Sequence, residues 1–132
     1  MHKAYLVIAA VFGGLSVALG AFAAHGLQRL TTDATIIHSF QTGVQYQFYH
    51  SLVLLLVGFY YERVCSWTFK WAANFFIAGI ILFSGSLYLI TLLKIREVPY
   101  SFLGPVTPVG GVFLIAGWSL LLTSFLQLKK NV

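Results

Sequence analysis

Long charge-free apolar runs alternate with short polar stretches along this chain, and that alternation fixes its coarse organisation. Residues 4–24, 44–61, 71–93 and 109–128 contain no Asp, Glu, Lys or Arg. Each run is close to the roughly 20 residues that carry a helix across the ~30 Å hydrocarbon core of a bilayer. The pattern predicts an all-α integral membrane protein, a four-transmembrane-helix up-and-down bundle forming one domain over residues 1–132. Between the first two spans, Leu27, Leu30, Ala34 and Ile37 recur at helical spacing, and Thr32 or Asp33 can cap a helix. A short interfacial amphipathic helix is therefore expected at about 32–43, with Gly43 as a bend into span two.

The first run also imitates a signal peptide, with Lys3 ahead of it and Ala21-Phe22-Ala23 near its end. At 21 residues it exceeds a typical secretory apolar segment, so it is expected to remain in the membrane. Small residues recur along it: Ala9, Gly13, Ser16, Gly20 and Ala24 draw one stripe. In the other spans small residues repeat every seven positions, as Ser51 and Gly58, as Ala72, Gly79 and Ser86, and as Gly110, Gly117 and Ser124. A seven-residue period implies left-handed helix pairs with the small residues at the contacts. Gly13, Ser16, Gly20, Gly79, Ser86, Gly110 and Gly117 are thus the expected packing positions.

Span two begins differently. Gln41, Gln45, Tyr46, Gln47, Tyr49 and His50 lead into the apolar run Leu52–Leu56 and make a polar seam on a membrane helix. Such groups need partners in a bilayer, so the seam is expected to face other helices.

Composition agrees with the pattern. The chain is 59% hydrophobic and 8% charged, outside the range of soluble globular proteins. Eight Lys and Arg against three Asp and Glu give a net charge of +5, but the basic residues stand at the ends of apolar runs. That placement fits topology signals and anionic lipid rather than nucleic acid. Lys3, Arg63, Lys70, Lys129 and Lys130 are expected on one side, and Arg29, Lys94 and Arg96 on the other, which puts both termini in the cytoplasm. One cysteine, Cys65, excludes an internal disulfide.

Four blocks carry a resemblance: Gly20-Ala21-Phe22-Ala23-Ala24-His25-Gly26-Leu27, the stretch Phe40–Leu54, Phe83-Ser84-Gly85-Ser86-Leu87-Tyr88, and Thr107-Pro108-Val109-Gly110-Gly111 through Gly117-Trp118. In this order they resemble the bacterial YgdD/YwdK-type membrane family, the domain of unknown function four-two-three, which has a small eukaryotic membrane relative. Ala23 departs from it where the family pattern has glycine. The resemblance implies a small multi-pass protein of the bacterial plasma membrane without an established activity.

The chemistry legible in the residues is sparse. His25 and His50, read as lying on one side of the membrane, suggest a rival function: binding or carrying a small ligand, a metal or haem, with the glutamines and Tyr88 around it. The alternative for the same residues is interhelical hydrogen bonding of His50 with Gln47, Tyr46, Tyr88 or backbone. Gln41, Gln45, Gln47 and Asn74 can likewise line a polar cavity or join helices. No catalytic constellation is evident, because Glu62 and Glu97 are expected on opposite sides and no carboxylate pair is expected to form. The expectation is therefore a structural or interaction protein in lipid, with no catalytic residues, no metal site, no cofactor, no nucleic acid and no small-molecule substrate. Homo-oligomerisation through its apolar faces is left open.

Overall fold

The computed structural model describes residues 1–128, and Lys129 and Lys130 of the orientation argument lie outside them. Among the described residues all regular structure is helical: α1 (Lys3–Ala24), the single turn α2 (Leu27–Leu30), α3 (Ala34–Val64), α4 (Trp67–Ile95), a 3-10 turn at Ser101–Leu103 and α5 (Val106–Gln127). Three stretches are long and apolar enough to cross a membrane, Lys3–Leu30, Trp67–Ile95 and Ser101–Gln127. The polar seam dilutes the hydropathy of α3, whose 31 residues are ample in length.

Local chemistry explains the boundaries. Asp33 caps α3 through its carboxylate, which accepts the Thr35 N–H at 2.8 Å. At the other end Cys65 takes a left-handed conformation, φ 40°, and Ser66 caps α4 by accepting the Phe69 N–H at 3.1 Å. Two residues thus reverse the chain. The expected interfacial helix at 32–43 and its bend at Gly43 are not separate features: residues 34–43 are the first turns of a continuous α3. Gly43 serves packing instead. A Cβ there would stand 3.0 Å from the Tyr88 ring, and its carbonyl accepts the Ser84 hydroxyl at 2.6 Å.

The helices pack in chain order, α1 on α3, α3 on α4 and α4 on α5. The α4–α5 pair shows why the seven-residue period exists. A Cβ on Gly79 would strike Leu114, one on Gly110 would strike the backbone of Phe83, and one on Gly117 would sit 2.9 Å from the Phe76 ring. Ser86 hydrogen-bonds Thr107 in the same antiparallel register. Bulky and small residues therefore alternate across the contact, and the helices approach to backbone distance where a glycine faces a large side chain. Ser51, Gly58, Ala72 and Ser124 are buried as well.

On α1 the stripe faces α3 through Gly13, beside Ser51, and Gly20, beside Val44, while Ala9 and Ser16 are buried. Ala24 lies exposed where the stripe ends. Large apolar residues such as Val17, Ile115 and Leu126 point outward, an arrangement that costs nothing when the surroundings are lipid.

Candidate functional site

The polar residues of α3 divide into two faces. Gln47 and His50 turn inward and are buried; Gln41, Gln45 and Tyr49 turn outward and are exposed. A helix advances about 100° per residue, so positions 45 and 47 project in nearly opposite directions and cannot share one seam.

Inside, two small networks join the helices. Gln47 donates from Nε2 to the Phe12 carbonyl of α1 at 2.8 Å and accepts the Tyr88 hydroxyl of α4 on Oε1 at 2.8 Å. One carboxamide therefore ties three helices. His50 lies 2.7 Å from the Tyr46 carbonyl through Nδ1 and accepts the Trp118 indole N–H on Nε2 at 3.1 Å. A carbonyl only accepts and an indole N–H only donates, so Nδ1 carries the proton and the ring is the neutral Nδ1–H form. Its face packs against Phe76, with ring centroids 5.7 Å apart. Tyr46 stacks on Phe83 at 4.7 Å and remains partly exposed.

His25 does not meet His50. It caps the end of α1 and is exposed, and α1 runs antiparallel to α3 with Gly20 beside Val44. The level of His25 is thus near residue 39 of α3, about eleven residues or ~16 Å from His50. The apolar run alone places His50 near the start of span two, whereas α3 begins at Ala34 and has His50 at the middle of the helix.

Asn74 is likewise apart from the glutamines: its Oδ1 accepts the Tyr5 hydroxyl at 3.0 Å near the opposite end of the bundle. Gln41 and Gln45 line an open hollow of about 330 Å³ with Gly20, Ala23 and Val44. Two carboxylates do stand at the same end of the bundle. Asp33 and Glu97 line an open hollow of about 600 Å³ with Thr35, Lys94 and Tyr100. Both flank the same end of the bundle, and the Asp33 carboxylate there is engaged in capping α3.

Several partners were not legible. Trp118, Ser84 with the Gly43 carbonyl, and the Phe12 carbonyl emerge only from packing, although an indole N–H within an apolar span signals a need for an acceptor. At the opposite end, the N-terminal ammonium lies 2.7 Å from Glu62 and holds that exposed carboxyl below its ordinary value, first by hydrogen bonding and then by charge.

A profile of the family described as "Protein of unknown function (DUF423)" matches residues 19–111. The chain is 42% identical over 126 residues to the UPF0382 inner membrane protein YgdD of Escherichia coli strain K12, spanning 96% of this chain and 92% of that one. It is 37% identical over 123 residues to the UPF0382 membrane protein YwdK of Bacillus subtilis, covering 92% and 95% of the two chains. A fission yeast relative, the UPF0382 membrane protein C1782.12c of Schizosaccharomyces pombe, is 36% identical over 115 residues, covering 87% and 95%. No solved structure matches. With three long apolar helices and relatives of matching length that are named as membrane proteins, this chain belongs to the DUF423 family of UPF0382 membrane proteins, a family whose molecular function is not established.

Proposed function

We propose that the chain is a four-span plasma-membrane protein that acts through helix contacts, in a structural or interaction role, and not by turnover of a substrate. In this reading α3 is the second crossing. Its 31 residues would extend about 46 Å against a hydrocarbon core of ~30 Å, leaving the turns before Gly43 at head-group level. Both termini lie in the cytoplasm by the five-to-three division of Lys and Arg.

The observation that carries the reading is the full engagement of His50. Nδ1 donates its proton to the Tyr46 carbonyl and the one ring lone pair, on Nε2, accepts from Trp118, so neither nitrogen is free for haem or a metal. Gln47 is likewise engaged at both its amide nitrogen and its carbonyl oxygen, by Phe12 and Tyr88. The inward polar groups thus behave as joints between helices, which disfavours the ligand-carrier reading.

Two measurements test it. Reporter fusions to each terminus and to the Cys65–Ser66 and Val98–Pro99 connections should give a four-span topology with both termini inside. Purified protein should lack a Soret band and bound transition metal, and His50→Leu should lower thermal stability. A stoichiometric metal or haem lost in His50→Leu would overturn the reading.

A further inference from the structure

Outside the bundle, α3 carries polar groups that the fold leaves without partners. His38, Gln41, Gln45 and Tyr49 are exposed and recur at three, four and four residues, forming a continuous stripe. Gln41, Gln45 and Tyr49 share no side-chain hydrogen bond with another described residue, in contrast to Gln47, His50 and Tyr88 on the inward faces.

The stripe also runs deep. With Gly20 beside Val44 and Gly13 beside Ser51, Gln45 is level with Leu19 and Tyr49 with Leu15. These levels lie roughly 7 and 13 Å in from the end of α1 at 1.5 Å per residue; with the turns before Gly43 at head-group level, Gln45 stands at the edge of the ~30 Å core and Tyr49 about 9 Å inside it. Acyl chains offer such a carboxamide and phenol no hydrogen bond.

We propose that this face of α3 is a homodimer interface within the membrane, occupied by the same stripe of a second copy of this chain. The inference rests on the reading of α3 as a membrane span. The chemistry selects the occupant: a carboxamide and a phenol each both donate and accept, so two copies related by a two-fold axis complete each other's hydrogen bonds. Shape agrees. Gln45 and Tyr49 line an open hollow of about 310 Å³ together with Ser16, Val17, Val44 and Phe48, and Gln41 and Gln45 line a second one with Gly20 and Ala23, so the two hollows share Val44 and Gln45. The polar side chains and the small residues of α1 thus share one open, recessed face, which lets a second helix approach them closely.

The test uses full-length protein in liposomes, with Cys65→Ser as background. Gln45→Cys and Tyr49→Cys should form disulfide-linked dimers under mild oxidation, while Ile115→Cys, exposed on α5, should not. In energy-transfer measurements between labelled copies, Gln45→Leu combined with Tyr49→Phe should raise the dissociation mole fraction roughly tenfold while helicity is retained. The proposal is overturned if Gln45→Cys links no more than Ile115→Cys, or if the double variant associates like the parent. A membrane-impermeant maleimide separates the two failures: reaction at Tyr49→Cys from water removes the spanning reading itself, whereas a protected but unlinked cysteine removes only the dimer.

Discussion

Trp118 donates its indole N–H to Nε2 of His50 at 3.1 Å, joining α5 to the middle of α3 across 68 residues of sequence. This bond fixes the imidazole in one tautomer, because the Nδ1 proton is already directed at the Tyr46 carbonyl. Trp118→Phe should therefore strand a buried acceptor. The expected loss is about 1 kcal/mol, between the ~0.6 kcal/mol mean of membrane hydrogen bonds and the ~1.7 kcal/mol maximum. Reversible unfolding in bicelles reads it, and a cycle with His50→Leu should show the two effects are not additive.

Gln47 ties α1, α3 and α4 together, so Gln47→Leu should cost more than Tyr88→Phe. Two bonds at roughly 0.6 kcal/mol each predict about 1.2 kcal/mol for the first and half of that for the second. Gln45→Leu, four residues from Tyr49 on the outer face, should leave the stability of the monomer unchanged. Equal effects at Gln45 and Gln47 would contradict the division of the two faces.

The glycines make a graded series. Gly110→Ala would drive a methyl into the Phe83 backbone, which cannot yield, and should cost about 2–3 kcal/mol or misassemble the α4–α5 pair. Gly117→Ala meets the edge of the Phe76 ring at 2.9 Å and should cost less, since a ring can tilt. Gly14→Ala and Gly85→Ala meet nothing within 4 Å and should be neutral or stabilising by up to ~1 kcal/mol through helix propensity. Thermal unfolding of the four variants orders them.

The pair formed by Glu62 and the N-terminal ammonium should report pH and salt. Its carboxyl is held below the ordinary 4.5, so whatever the pair contributes is present above that value and is lost as pH falls through the depressed folded value. Both groups are largely exposed, so salt screens them. Glu62→Gln should lower the melting temperature slightly at pH 7 in low salt. The difference should vanish in 1 M salt and also in acid.

Much of the architecture was legible because it depends on runs and periods. Charge-free stretches mark helices long enough for a bilayer, Asp33 announces the start of α3, and seven-residue spacing places Gly79, Ser86, Gly110 and Gly117 at contacts where they are indeed buried. Periodicity is a property of one helix and can be counted along the chain.

The candidate site was less legible because it depends on relations between helices. A single helix states which residues share a face, but not which face meets protein. That Gln47 and His50 turn inward while Gln41, Gln45 and Tyr49 turn outward follows from where α1, α4 and α5 pack. The separation of His25 from His50 likewise follows from the register of α1 against α3, set where Gly13 meets Ser51 and Gly20 meets Val44. The sequence by itself determined a set of membrane-length helices and the small residues along which they touch. Only the tertiary structure decided which polar groups are partnered, because a hydrogen bond between helices requires both phase and register, and a linear pattern contains the first but not the second.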